Sequence, residues 1–176
     1  MSNLLKSTPY RLSQISPEEI REYLIYEVGE KAQHKIYNQL VDLKESYPEF
    51  DKWFHNTVYP ELTASPEQRE IIIVISTLEK KKVLTGIAIL KKTSTERKIC
   101  TIRIHEHFRG KGIGTMLFEE CFSFLGTRLP VITISENREA DFVKHINKFG
   151  FIKTQSLKGL YKPESIEFIY NGAIDT

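Results

Sequence analysis

Cysteine is scarce in this sequence. The 2 present, Cys100 and Cys121, cannot build a disulfide framework, and their spacing makes no metal site. Both stand in apolar surroundings, which suits buried free thiols in a reducing cytoplasm. The 5 histidines, His34, His55, His105, His107 and His145, include no HExxH and no Cys/His pair at zinc spacing, so no metal is expected. No apolar run reaches the ~18 residues needed to span a bilayer. The N-terminus MSNLLKSTPYRLS lacks the apolar stretch and cleavage site of a signal peptide. Charge of one sign is lacking too: 25 Lys+Arg stand against 23 Asp+Glu, a formal net charge of +2. That balance gives no strong nucleic-acid signal, although a local basic patch would not alter it. Internal repeats and low-complexity tracts are missing. The exclusions leave a soluble cytoplasmic protein with no membrane partner.

What is present suits a folded enzyme-sized unit. The chain has 176 residues, 40% hydrophobic and 27% charged, which is expected to form a single domain over 1–176 with an adequate core. Residues 17–62 read as helical. Ser16-Pro17-Glu18-Glu19 is a helix start, with Ser as N-cap and Pro at the first helical position. Ile20, Tyr23, Leu24 and Val28 follow at helical spacing, and Gly29 stops the run. A second helix carries Ile36, Tyr37, Leu40, Val41 and Leu43 up to Tyr47-Pro48. A third is short and aromatic, running from Phe50 through Trp53, Phe54 and His55 to end near Tyr59-Pro60.

The pattern changes after Pro66. Residues 69–77 are a β-branched run, expected as a strand buried on both faces. Lys80, Lys81 and Lys82 mark a solvated hairpin tip. Strands follow at 83–92 and 97–105, and in the latter Ile99, Thr101 and Arg103 alternate with Cys100, Ile102 and Ile104. A glycine-rich turn leads into a helix carrying Ile113, Met116, Leu117, Glu120, Cys121 and Phe124, closed by Gly126. Pro130–Ser135 reads as a strand, 137–149 as a helix, and 151–158 and 165–170 as two last strands about the turn Lys162-Pro163-Glu164-Ser165. A short first strand is expected near Tyr10–Ile15. The class is mixed α/β (α+β) around one sheet, mainly antiparallel before the glycine turn and with a crossover after it.

The chemistry-bearing segment is Arg109-Gly110-Lys111-Gly112-Ile113-Gly114-Thr115. Its glycines let the backbone turn sharply and bring a ligand close to N–H groups. The helix tip adds unpaired donors and a positive dipole end, and Arg109 and Lys111 add charge. The sum suits a phosphate or pyrophosphate. A P-loop would need Ser or Thr after Gly-Lys, which is missing. A dinucleotide fingerprint starting at Gly110 would meet Thr115 where its third glycine belongs, and no βαβ unit precedes it. A tight turn carrying two surface cations is the plain alternative.

The phrase Arg109-x-x-Gly112-x-Gly114, after a strand ending Ile102-Arg103-Ile104-His105-Glu106 and before an amphipathic helix, resembles the acyl-CoA-binding signature of the GNAT N-acetyltransferase superfamily. The strand Pro130–Ser135 and the helix ending Lys148-Phe149-Gly150-Phe151 match the later elements of that superfamily. The resemblance covers about residues 69–171, with 17–62 as an enlarged form of the variable first helices. It implies a mixed, mostly antiparallel central sheet flanked by helices. It also implies acetyl-CoA as co-substrate, without a metal, and direct attack of an amine acceptor on the thioester. The backbone from Arg109 through Lys111, Gly112, Ile113 and Gly114 to Thr115 would hold the pyrophosphate. Ile102 and Ile104 would pair with the pantetheine, and an N–H there would polarise the thioester carbonyl.

The chain departs from the family where many members carry a tyrosine acid, because that position is Ile146. His145 is next to it but points about 100° around the helix, so it is a candidate acid in its place only with a local shift of the helix. Near the positions where some members keep a base stand Lys98 and Cys100. Tyr161, at the final hairpin turn, is a candidate for acceptor contact or leaving-group protonation. Glu136, at the end of the fifth strand, is a candidate base through water, or else a first-turn carboxylate favoured by the helix dipole. His105 and Glu106 are expected to shape the turn. Trp53, Phe54, His55 and Tyr59 either cap the acceptor cleft or bury their helix on the sheet. The leading expectation is an acetyl-CoA-dependent N-acetyltransferase. Its alternatives are a non-catalytic acyl-CoA-binding sensor and a nucleotide-phosphate-binding protein of another family. Exposed strands of the last hairpin could support a homodimer.

Overall fold

The computed structural model describes residues 5–16, 18 and 34–175. Apart from Ser16 and Glu18, the expected first helix lies outside the described residues.

β1 (Lys6–Arg11) begins earlier than expected and is followed by a 3-10 turn at Leu12–Gln14. The strand ends there because Ser13 turns its backbone N–H and hydroxyl onto the carboxylate of Glu70. Pro9 is tolerated because β1 lies at the rim of the sheet, paired with β2 alone. The second expected helix is α1 (His34–Leu40), tightening to 3-10 over Val41–Glu45. The third does not end at Tyr59-Pro60. α2 (Phe50–Trp53) widens into a π-turn at Phe54–Val58 and continues as α3 (Tyr59–Ala64). Pro60 therefore stands in the first turn of α3, directly after the π-turn, whose change of register accommodates its missing N–H.

β2 (Arg69–Leu78) and β3 (Lys81–Lys92) form a hairpin whose two loop residues, Glu79 and Lys80, both take positive φ. β4 (Arg97–Ile104) leads through a 3-10 turn at Glu106–Phe108 to α4 (Ile113–Leu125). β5 (Val131–Ser135), α5 (Glu139–Phe149), β6 (Lys153–Lys158) and β7 (Ile166–Tyr170) complete the described elements. The sheet order is β1-β2-β3-β4-β5-β7-β6. Every neighbouring pair is antiparallel except β4 and β5, which run parallel across the α4 crossover. The expected mixed, mostly antiparallel sheet flanked by helices is the observed one.

Two apolar clusters cover the sheet. On one face Ile72, Val74, Ala88, Leu90, Ile132 and Ile134 pack with α4, and Phe142, Ile146 and Phe149 of α5 join them. On the other, Ile71, Ile73, Ile87 and Ile89 pack with Leu40, Phe50, Phe54 and Val58 of the helical segment. β2 is buried on both faces, as a continuous β-branched run requires.

The alternation expected in β4 fails at one residue. Ile89 of β3 pairs with Thr101 and Leu90 with Ile99, leaving Cys100 as a bulge. The extra residue reverses the parity of the strand. Ile99 thus shares the α4 face with Ile102 and Ile104, while Cys100 packs on the opposite cluster.

Candidate active site

β4 and β5 hold only two rungs, Lys98 with Val131 and Ile99 with Ile132. Beyond them the strands diverge, so the later residues of β4 have a strand partner only in β3. The bulge at Cys100 falls where the strands part.

The glycine turn stands at the open end of this gap. Gly110 and Gly112 have φ of 74° and 81°, a region that L residues avoid. Gly112 is the N-cap of α4 and accepts a hydrogen bond from the N–H of Met116. No acidic residue occupies the first turn of α4, so its unpaired donors and positive dipole end face no carboxylate of their own helix. A cavity of about 210 Å³ lies against the turn, bordered by Arg109, Gly112, Thr115, Arg138, Lys144 and His145. Sequence reasoning missed Arg138 and Lys144, which reach it from α5 and its N-cap. Basic side chains on a helical stretch following β5 were the available signal.

This cavity adjoins a narrow space of about 60 Å³ in the gap, and Ile102, Arg103, Arg138 and Phe142 border both. The narrow space adjoins in turn a chamber of about 480 Å³, with Tyr47, Cys100, Thr101 and Thr133 on both boundaries. Three adjoining spaces thus mark a route from the helix tip, along the free edge of β4, to a chamber beside the helical segment.

Phe50 and Trp53 form part of the chamber wall, and Tyr161 closes it from the β6–β7 turn. Tyr161 packs edge-on against Tyr47, ring centroids 5.1 Å apart, and Lys162 donates to the backbone oxygen of Glu45. The last hairpin is thereby tied to the helical segment. Arg69 is 2% exposed, pairs with Glu61 at 2.7 Å and lies 5.9 Å from the Trp53 ring centroid. Burial pushes the Cys100 thiol above its ordinary pKa, against the opposing pull of Arg69.

The three candidate catalytic residues stand in three different places. Tyr161 lines the chamber. Glu136 accepts a hydrogen bond from the N–H of Ile166, and its own N–H donates to the Ile166 carbonyl. It thus extends the β5–β7 pairing beyond the strand end. His145 lies on Gly114 in the cavity at the helix tip, with its ring 5.1 Å from Phe118. Burial there, with Lys144 and Lys148 nearby, lowers its pKa. Ile146 packs against the core. His105 accepts from the N–H of His107, and its own N–H bonds to Thr85, so it shapes the turn. Phe54 is buried, Trp53 faces the chamber, His55 packs on Tyr37, and Tyr59 is exposed.

A further residue escaped the sequence reading. Glu167 on β7 pairs with Ser135 of β5, is 0% exposed, and its Oε2 has no hydrogen-bond partner. Burial is the main cause of a pKa raised to about 7.

The family described as acetyltransferase (GNAT) domain matches residues 12–159. The chain belongs to the GNAT acetyltransferase family. Solved acetyltransferase structures share its fold. A putative GNAT-family acetyltransferase from Desulfovibrio desulfuricans superposes with a TM-score of 0.59 at 16% identity, covering 94% of this chain and 97% of that one. The ribosomal-protein-S18-alanine N-acetyltransferase from Escherichia coli gives 0.51 at 12% identity, covering 94% and 92%. Nourseothricin acetyltransferase gives 0.50 at 14% identity; 58% of this chain is covered, and the match spans 64% of that protein, under two thirds of its length. No curated protein matches at a significant level. Among the described residues, no GNAT helix of this chain is long and apolar enough to cross a membrane.

Proposed function

We propose that this GNAT protein transfers an acetyl group from acetyl-CoA to an amine acceptor by direct attack of the amine on the thioester. The route from glycine turn to chamber is the observation that carries the proposal. In this reading the amides of Arg109 to Thr115 bind the pyrophosphate, with Lys144 adding charge and Arg138 held in place by Asp141. The pantetheine follows β4 past Ile102 and Ile104 as a short extra strand. The thioester then reaches the bulge at Cys100, and the acceptor enters the chamber between Trp53 and Tyr161. A chamber of about 480 Å³ falls in the size range of small-ligand sites, roughly 300–1,000 Å³. A half-buried Cys100 whose thiol pKa is raised supports attack by the acceptor itself rather than an acyl-cysteine intermediate. A cytoplasmic setting, where acetyl-CoA and free thiols coexist, is part of the proposal.

Calorimetry with acetyl-CoA, CoA and ATP tests the cradle. Acetyl-CoA binding that is lost on Gly112→Asp is the expected result, and binding of ATP alone overturns it. Ile146, which has no hydroxyl to protonate a thiolate, favours a second reading, a non-catalytic acyl-CoA sensor. Thiol release from acetyl-CoA over a panel of amines separates the two: tight binding with no release for any amine supports the sensor.

A further inference from the structure

An amine acceptor reaches the chamber as an ammonium ion at neutral pH, and it must lose a proton before its nitrogen can attack. Neither Lys98 nor Cys100 suits that task, and Glu136 and His145 are engaged elsewhere. Among the described residues, two buried side-chain polar atoms lack a hydrogen-bond partner: the Thr133 hydroxyl and Oε2 of Glu167.

The two residues carrying them share one face of the β5–β7 pair. Thr133 pairs with Ile169 and Ser135 with Glu167, so Thr133 and Glu167 are diagonal neighbours across β5 and β7. Ile132, Ile134, Phe168 and Tyr170 pack on the α4 side, so strand alternation directs Thr133 and Glu167 to the opposite face. Thr133 borders both the gap and the chamber. The charge of Glu167 acts on Tyr47, which borders the same two spaces. Diagonal neighbours stand about 7–8 Å apart, a separation that one water bridges between a glutamate and a threonine side chain. Buried polar atoms left unpaired are the usual hosts of such a water.

We infer that Glu167 receives the proton of the acceptor ammonium through a water held between its Oε2 and the Thr133 hydroxyl. This inference rests on the transferase reading above. The proton passes from nitrogen to water as the water gives one to the carboxylate. The nitrogen lone pair then forms the C–N bond at the acyl carbon. The tetrahedral intermediate collapses with cleavage of C–S, and the second ammonium proton goes with the departing sulfur. Glu167 afterwards returns its proton to solvent. Acetyl-CoA and ammonium thus become amide, CoA thiol and one released proton.

The surroundings suit a base that works near neutrality. Burial raises the pKa of Glu167, the Ser165 hydroxyl opposes this by donating to Oε1, and repulsion from Glu136 adds to the rise. The Glu167 charge acts on Tyr47, with Tyr161 and Arg138 as the other charged or titratable groups acting on that tyrosine. A carboxyl with a pKa of about 7 is ionised often enough to accept a proton and basic enough to draw it from an ammonium.

The test couples calorimetry to thiol release, using the best acceptor from a panel of primary amines and peptides with free N-termini. Glu167→Gln keeps the shape and removes the base. It is expected to lower kcat about 100-fold at pH 7, to abolish the rise of kcat with pH through neutrality, and to leave acetyl-CoA affinity within about two-fold. Glu167→Asp is expected to restore part of the rate and the pH limb. A Glu167→Gln protein with the wild-type rate and pH profile overturns the inference alone. Wild-type protein that binds no acetyl-CoA, or releases no thiol with any amine, overturns the transferase reading and this inference with it. Should the variants fail to fold, 13C-glutamate NMR of the wild type decides. A carboxyl titrating near pH 7 in the acetyl-CoA complex supports the inference, and carboxyls that all titrate below pH 5 overturn it.

Discussion

Gly114 and His145 touch across the junction of α4 and α5: a Cβ on the glycine would stand 2.7 Å from Nε2 of the imidazole. At the third glycine of the turn, any larger residue must therefore displace the imidazole. Gly110 and Gly112 differ, since a Cβ on either would meet open space and only their positive φ demands glycine.

Gly114→Ala should push His145 into the cavity that both residues border. In an exposed helix the change would stabilise by up to about 1 kcal/mol. Here overpacking of about 1–3 kcal/mol should prevail, with weaker acetyl-CoA binding by calorimetry. In a His145→Ala background the same substitution should raise the melting temperature. Additive effects in that double-mutant cycle would show that the contact carries no energy.

Glu167 ties stability to pH. Its carboxyl pKa rises from an ordinary 4.5 to about 7 in the folded protein, so the folded state binds the proton more tightly than the unfolded chain. The contribution is full below pH 4.5 and is lost as pH climbs through 7. Glu167→Gln should thus stabilise the protein at pH 8 by up to about 3 kcal/mol and change it little at pH 4. Melting curves at the two pH values check this, and equal differences at both would refute it.

Cys100 borders the gap with its thiol held protonated by burial. Cys100→Ala should retain turnover, and no acetyl group should appear on the protein by intact-mass measurement during the reaction. Iodoacetamide should modify the wild-type thiol slowly at pH 7.5, since the thiolate is the reactive form. Loss of activity in the alanine variant together with a mass increase of one acetyl group would replace direct attack by a two-step mechanism.

Arg103, which borders the narrow space, is clamped by both carboxylate oxygens of Asp42. The pair is partly exposed, so Asp42→Asn should cost less than about 1 kcal/mol in thermal unfolding. Removing the carboxylate leaves Arg103 unneutralised beside the anion route. Acetyl-CoA should bind more tightly in 20 mM salt, and the gain should fade at 0.5 M as charges are screened. Weaker binding at low salt would contradict the assignment of that route.

The strands and the glycine turn were legible because their signals are local. β2 is a β-branched run, and a charged pair makes the turn between β2 and β3. Glycines at 110, 112 and 114 between a strand and an amphipathic helix say where a phosphate would sit. The π-turn at Phe54–Val58 was hidden, since Pro60 is the ordinary sign of a helix end and only a change of helical register lets the chain continue past it. The bulge at Cys100 was equally hidden, because no glycine marks it and strict alternation accounts for the same letters. Glu167 was missed for a topological reason. In Ile166-Glu167-Phe168-Ile169-Tyr170 it reads as the solvent-facing member of an alternating strand. Its burial follows from β7 lying between β5 and β6, an order that the sequence does not encode locally. Tyr161, Glu136 and His145 do not converge: Tyr161 lines the chamber, Glu136 is held on Ile166 of β7, and His145 lies at the helix tip.

The two-rung contact between β4 and β5 makes the middle of this sheet its weakest seam. Elsewhere a bare strand edge is a rim to be blunted by prolines or bulges; here it lies in the interior and is sheltered only by whatever fills the divide. On the proposed route the thioester donor would serve as a structural strut as well as a reactant, and its binding should slow amide hydrogen exchange at 101–104. The lifetime of the protein against proteases would rise and fall with the cell's supply of that donor.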